Sequence, residues 1–344
     1  MSAFIIAEAG VNHNGSIQLA LELIEAAAEA GADAVKFQSF SAEKLVRAGA
    51  EKADYQKAAT GDGDQLQMLK KLELSVEQHH LMASHCKQVG IEFMSTPFDP
   101  EAAEMLLSLG MRRIKIPSGE ITNHPFLRFL AAKNCPLIMS TGMATLAEVQ
   151  EAVTVIANER ERIGNAAPLQ SFLNVLHCTS NYPASDSDVN LRAMITMRDV
   201  LGVPVGYSDH TLGVAVPTAA VALGATVIEK HFTLDKSLSG PDHKASLDPN
   251  ELAIMVNQIR SVERALGSAV KGPADAELPI RALVRRSVTT IRPLVSGQII
   301  APEDLALLRP GTGIAPKDYE AVLGRRAARD IAEGTTLQWG DIGG

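Results

Sequence analysis

Basic runs are missing from this sequence. Its 32 lysines and arginines are outnumbered by 40 aspartates and glutamates, and they form no stripe or cluster. A net charge of −8 and a pI near 5.6 exclude nucleic acid as the expected partner. Long apolar runs are missing too. No segment reaches the roughly 20 residues needed to span a bilayer, and the start "MSAFIIAEAG" has neither the basic region nor the apolar length of a leader. No membrane association is therefore expected. Cysteine is scarce: Cys86, Cys135 and Cys178 show no metal-ligand spacing. A reducing, cytoplasmic setting is expected.

What the sequence does have is a repeating alternation. Short apolar runs at 4–10, 34–40, 92–98, 112–120, 136–142, 173–180, 204–210 and 226–232 are separated by segments with helix signals. Ile17, Ala20, Leu21, Ile24 and Ala28 fall on one helix face. Ser75 with Gln78, and Thr145 with Glu148, make capping boxes. Gly31, Gly90, Gly110 and Gly224 stand where helices close. Apolar runs of this kind suit parallel strands covered on both faces. Eight strand–helix units predict an α/β (β/α)8 TIM barrel over 1–266, with a final helix near 248–266. The long stretch between Phe40 and Glu92 predicts a loop insertion over the barrel mouth. The segment 267–284 reads as a linker. Residues 285–344 read as a small, mostly β domain with an internal echo: Gly297 precedes Asp304–Leu305 as Gly334 precedes Asp341–Ile342. About sixty residues is marginal for independent stability, so docking is expected.

Barrel active sites lie at the carboxyl ends of the strands. There this sequence places ionisable and hydroxyl residues. The run "ATVIEKHF" (225–232) is an apolar strand ending in Glu229, Lys230 and His231. Side chains alternate along a strand, so Glu229 and His231 share a face, as do Ser208 with His210 and Lys36 with Gln38. Neighbouring strands are about 4.8 Å apart, so His210 and His231 could reach one metal ion. Lys36 and Lys115, with several Ser, Thr and Asn groups, suit a phosphorylated or carboxylated anion. The carboxylates and histidines suit metal-assisted acid–base work. Asp209 is read as outward-facing and capping the next helix, and Lys230 as pairing on the surface. His79, His80 and His85 are read as solvated, and Cys178 as structural.

The motifs "AEAGVNHNGS", "VKFQSF", "STPFD", "KIPSGE", "STGMAT", "LHCTSNYP", "GYSDHT", "IEKHFTLD", "GPDHKASL" and "LRPGTGI" follow one another along the chain. Together they resemble the bacterial sialic acid synthase family, including its C-terminal antifreeze-like (SAF) module. The resemblance implies condensation of phosphoenolpyruvate with an N-acetylmannosamine-type sugar. N-acetylmannosamine itself would give N-acetylneuraminate, and its 2,4-diacetamido-2,4,6-trideoxy relative N,N′-diacetyllegionaminate. It also implies a divalent cation, usually manganese, with magnesium or cobalt as substitutes, held by His210 and His231. It assigns Lys36, Thr96, Lys115, Ser118, Ser140, Asn181 and Ser208 to phosphoenolpyruvate. Gln38, Tyr182 and Asp242 fall on the sugar side. Glu120 is the implied acid–base group, with Glu8 and Glu229 orienting substrate or water. Arg309 would reach the sugar N-acetyl group from the partner subunit of a domain-swapped homodimer. Thr312 replaces an asparagine frequent in the family, and Asn14 an acidic residue of some members. The competing readings are another phosphoenolpyruvate–aldose synthase and a non-catalytic barrel scaffold with a sugar-binding tail.

Overall fold

The computed structural model describes residues 2–343. Met1 and Gly344, the ends of the expected domain bounds, lie outside the described residues, as do the side chains of Tyr55 and Ala58 in the expected insertion. Two compact units are present, Met1–Gly267 and Ser268–Gly344.

The first unit is a parallel barrel. Its strands are β1 (Phe4–Gly10), β2 (Ala34–Ser39), β3 (Glu92–Pro97), β4 (Ile114–Ile116), β5 (Leu137–Ser140), β6 (Leu173–Cys178), β7 (Val205–Asp209) and β8 (Val227–His231). The ladder runs β3-β2-β1-β8-β7-β6-β5-β4, and β1 and β8 pair with each other in parallel. β3 and β4 are neighbours in space without a ladder among the described residues, which leaves a seam there.

The helices that follow the strands form the outer layer. After β1 comes α1 (Ile17–Glu29), whose Ala20, Leu23, Ile24 and Ala27 are buried as the 3.6-residue spacing requires. The insertion after β2 holds α2 (Ala42–Leu45), α3 (Asp54–Thr60), α4 (Gln65–Lys70) and α5 (Val76–Val89). Then come α6 (Pro100–Ser108), α7 (His124–Ala131), α8 (Leu146–Arg162), α9 (Asp186–Val189), α10 (Arg192–Leu201), α11 (Ala215–Ala222) and α12 (Pro249–Leu266). The boxes at Ser75 and Thr145 cap α5 and α8 as their spacing predicts. No helix among the described residues is long and apolar enough to cross a membrane.

Two apolar layers position the site. The larger fills the space between strands and helices. The smaller plugs the barrel interior with Ile6, Ala34, Met94, Ile138, Leu176 and Val227. Two residues further along the same strands stand Glu8, Lys36, Thr96, Ser140, Cys178 and Glu229. With period-two alternation the polar set forms the next layer directly above the plug. Gly206 shows how tightly the plug is filled. A Cβ there would lie 2.4 Å from the Val227 carbonyl oxygen and 2.6 Å from Leu176.

The second unit begins in the expected linker, which carries α13 (Glu277–Val284), a helix with no buried side chains. β9 (Ser287–Thr290) pairs antiparallel with β10 (Leu305–Leu308), and β11 (Arg326–Ala327) with β12 (Ile342–Gly343). The internal echo is structural. Gly297 and Gly334 both take left-handed φ values, +82° and +77°. Asp304 accepts from the Ala301 N–H, and Asp341 from the Gln338 N–H, both at 2.8 Å. Val288, Leu294, Ile300, Ile314, Ile331 and Leu337 form part of this unit's own core.

Candidate active site

A cavity of about 480 Å³ sits at the carboxyl ends of the strands. Its wall includes Glu8, Lys36, Thr96, Lys115, Glu229 and the two histidines His210 and His231. Gln38, Ser118, Ser140, Tyr182 and Ser208 also line it.

The end of β8 explains its three ionisable residues. β7 and β8 pair Ser208 with Glu229 and Asp209 with Lys230. On the inner face Ser208 Oγ donates to Glu229 Oε1 at 2.8 Å. On the outer face Lys230 meets Asp209 at 2.5 Å, with both side chains fully buried. Lys230 also donates to the Thr211 carbonyl, and Asp209 accepts from the Thr211 N–H at 3.0 Å. Asp209 does face outward but caps no helix, since α11 begins after Val214 with no side-chain cap; and Lys230 is not a surface residue but is sealed between barrel and helices, where only pairing makes its charge tolerable.

The inner polar layer is a charge network. Lys36 pairs with Glu8, donates to Thr96 Oγ1 at 2.9 Å and lies 3.6 Å from Glu229. Lys115 lies 3.3 Å from Glu229 and donates to Ser140 Oγ at 2.7 Å. Burial raises the Glu8 carboxyl to about 7, more than Lys36 lowers it, and the charge of Glu229 adds to the rise. Burial also works against the Glu229 charge, but Lys115 and Lys36 outweigh it and hold this carboxyl at about 2. Burial opposes the Lys36 ammonium, yet Glu229 and Glu8 more than offset it, so its pKa lies above the ordinary value. The two carboxylates are thus driven apart: Glu229 is held ionised and Glu8 is biased towards its protonated form, beside two lysine side chains that suit an anion.

The two imidazoles are neighbours, with ring centroids 5.6 Å apart. Tyr182 packs against His210, with ring centroids 4.1 Å apart and the rings tilted at 39°. His210 Nδ1 lies 2.6 Å from the Thr179 carbonyl, which can only accept, so Nδ1 carries the proton and Nε2 keeps its lone pair. Burial lowers the pKa of both rings, and for His231 the nearby charge of His210 adds to it. Nδ1 of His231 is a buried nitrogen with no hydrogen-bond partner among the described residues. Two neutral rings with available nitrogens fit a divalent ion. Among the described residues no set of three His, Cys, Asp or Glu side chains gathers to hold one, so these two would leave coordination positions to substrate or water. Gly10 keeps this corner open. It follows a register shift in β1, has φ +54°, and a Cβ there would sit 3.3 Å from His231 and 3.4 Å from Glu8.

Other expected residues lie elsewhere. Glu120 follows β4 on a short 3-10 turn, is not in the cavity wall, and accepts from Asn123 Nδ2 at 2.7 Å. Asn181 is exposed, and its Oδ1 accepts from the Tyr182 N–H at 3.1 Å. Asp242 is buried in an adjoining recess. Burial alone raises its carboxyl to about 6. Arg309 is exposed in the second unit, just after β10. Thr312 is in that unit too, and its carbonyl accepts from Gln338 Nε2 at 2.9 Å. Asn14 donates to the Ser239 carbonyl at 2.9 Å, tying the loop after β1 to the loop after β8.

Two histidines also depart from expectation. His79 is buried against β2, with Nε2 2.6 Å from Ser39 Oγ, and His85 reaches Glu25 at 3.0 Å; His80 is exposed. Gln56 and Gln65 from the insertion and Cys178, 3.3 Å from Ser118 Oγ, join the cavity wall without having been singled out for it. The long gap between β2 and β3 pointed to the insertion but not to which of its residues reach inward.

A (β/α)8 barrel with paired lysines, two carboxylates of divergent pKa and two facing imidazoles at its strand ends points to a class: barrel enzymes whose strand-end site suits an anionic substrate, with neutral imidazoles able to hold a metal ion. Comparison with known proteins narrows it. The model of the NeuB family matches residues 23–271 and that of the SAF domain residues 285–343. The chain belongs to the NeuB family. It is 57% identical over 343 residues to the N,N′-diacetyllegionaminic acid synthase of Legionella pneumophila, covering 99% of this chain and 95% of that one. It is 48% identical to the Campylobacter jejuni protein of the same name, covering 96% of this chain and 97% of that one. Among solved structures, the N-acetylneuraminic acid (sialic acid) synthetase of Leptospira borgpetersenii superposes with a TM-score of 0.70 at 34% identity, covering 81% of this chain and 90% of that chain.

Proposed function

We infer that this chain is a nonulosonic acid synthase. It joins C3 of phosphoenolpyruvate to the aldehyde carbon of an open-chain N-acetylmannosamine-type sugar, adds water at C2 and releases phosphate, giving a nine-carbon 2-keto acid. Both diacetyllegionaminic acid synthases cited above are similar along nearly their whole length, which favours the 2,4-diacetamido-2,4,6-trideoxy sugar as acceptor. The structural observation that carries the reading is the layer of Lys36, Lys115, Glu8 and Glu229 beside His210 and His231.

The residues divide the work. Lys36 and Lys115 offset the phosphate and carboxylate of phosphoenolpyruvate, with Thr96, Ser118, Ser140 and Ser208 as hydroxyl donors. Asn181, although exposed, is retained as a further contact at the mouth. His210 and His231 would hold a divalent ion, manganese by family resemblance, which would supply Lewis-acid polarisation of the aldehyde oxygen. Glu8, its carboxyl raised to about 7, would share its proton with the alkoxide oxygen that forms. Glu229, kept ionised, faces the positive charge that develops at C2 when the new bond forms. Water then attacks that carbon, and the C2–O bond to phosphate breaks. Glu120 remains a proposed acid–base group for orienting this water from the rim. Gln38, Tyr182 and Asp242 hold the sugar. Arg309 is proposed to reach it from the partner of a domain-swapped homodimer. The unpaired cysteines are compatible with a cytoplasmic setting.

Sugar-dependent phosphate release tests this. The expected result is one phosphate per molecule of keto acid, abolished by a chelator. Phosphate release that ignores the sugar contradicts it.

A further inference from the structure

A second, smaller space of about 110 Å³ shares a wall with the main cavity, formed by Gln38, Gln56, Tyr182 and His231. Its far side is apolar: Val11, Met68, Leu72 and Pro241. Val11, Met68 and Leu72 form a hydrophobic cluster of their own, separate from the barrel core and built largely by α4 of the insertion. Beyond the shared wall, one polar group lines the recess. The Asp242 carboxylate is buried and has no hydrogen bond or ion pair among the described residues; burial is the one influence on its charge. Gln56 uses its Oε1 to accept from the Ala53 N–H at 3.1 Å, which leaves its NH2 group as a donor.

An apolar wall, together with a buried acceptor and an amide NH2 that have no partner among the described residues, matches one functional group. An acetamido substituent has a methyl for the wall, an N–H for Asp242 and a carbonyl oxygen for the glutamine donors. A hydroxyl would satisfy Asp242 alone and leave the wall facing a polar group. The volume suffices: a single water needs roughly 10–15 Å³ on the same measure. The recess lies wholly in the first unit, while Arg309 belongs to the second. If Arg309 answers one acetamido group, the recess is provision for another.

We propose that this recess receives the second acetamido group of a diacetamido sugar, and that Met68, Leu72 and Asp242 thereby set acceptor choice. The proposal rests on the synthase reading above. It fits the sequence logic, because the insertion between β2 and β3 is the part of the barrel not required for the fold itself.

The test compares two acceptors differing at one carbon: 2,4-diacetamido-2,4,6-trideoxymannose and its 4-hydroxy counterpart, 2-acetamido-2,6-dideoxymannose. Wild-type protein should prefer the first in kcat/KM. Met68→Gln keeps the side-chain length but makes the wall polar, and should narrow that preference about tenfold. Met68→Leu should preserve it. Leu69→Gln, at a half-buried position lining the same recess, provides the same reading if Met68→Gln does not fold. A preference that stays the same in the folded glutamine variants, whether both acceptors slow together or neither does, overturns the proposal. Failure of the synthase reading looks different: wild-type protein would release no sugar-dependent phosphate with either acceptor.

Discussion

Replacing Lys230 with methionine tests how the end of β8 is built. Lys230 and Asp209 are both fully buried, 2.5 Å apart, on neighbouring strands one residue before His231 and His210. Methionine fills much the same volume but strips the Asp209 carboxylate of its cation, leaving it the Thr211 N–H and hydroxyl as hydrogen-bond donors among the described residues. Removing one partner of a buried pair costs about 3–5 kcal/mol. At roughly 2–4 °C per kcal/mol for a domain of this size class, the barrel's melting temperature should drop by about 10 °C. Asp209→Asn, which strands the lysine, should destabilise comparably. The double variant leaves no unpaired charge, so it should lose clearly less than the sum of the two. Thermal unfolding followed by circular dichroism measures all three. A loss below about 1 kcal/mol in both single variants, the value of an exposed pair, would refute the claim that these charges are sealed from water.

Other predictions follow from the inner face. Glu8 has a folded-state pKa of about 7, above its ordinary 4.5, so the folded chain keeps a proton that the unfolded chain has released between these values. Its contribution to stability is therefore full below pH 4.5 and lost as pH rises towards 7. Glu8→Gln should remove that part of the decline, read as the difference in urea midpoint between pH 5 and pH 8; an identical decline in both proteins would contradict it. His231→Ala should abolish metal-stimulated turnover with the fold intact by circular dichroism, and near-wild-type activity with manganese would defeat the metal assignment. Arg309→Ala should raise the sugar KM about tenfold or more with little change in the phosphoenolpyruvate KM, since a lost hydrogen bond to a charged group costs about 1.5–3 kcal/mol. Unchanged sugar kinetics would exclude Arg309 from the site.

The barrel was legible because its strands are covered on both faces. That makes them continuous apolar runs, and Ile6, Met94, Ile138 and Leu176 mark the inner layer directly. The active-site layer was legible two residues further on, where Glu8, Lys36 and Glu229 interrupt those runs. Alternation gives the face of a residue but not its depth. It turned Lys230 outward correctly and could not show that a helix layer would cover it. His79 was misread for a related reason: α5 is weakly amphipathic in composition, so its buried face against Ser39 is not evident from pattern. Helices α2, α3 and α4 of the insertion are short, and α4 packs through the Met68–Leu72 cluster, a tertiary contact that no local periodicity encodes. α13 went unrecognised because Gly272, Pro273 and Pro279 read as linker punctuation, and the apolar side chains of the helix are too few to outweigh them.

The most direct test of the synthase reading is the mass of the product from one mixed reaction. Purified protein is given phosphoenolpyruvate, manganese and equal amounts of N-acetylmannosamine and 2,4-diacetamido-2,4,6-trideoxymannose, with a chelated control. The expected product is a metal-dependent nine-carbon keto acid whose mass is chiefly that of the diacetamido product. Intact phosphoenolpyruvate and no new acid from either sugar would contradict it.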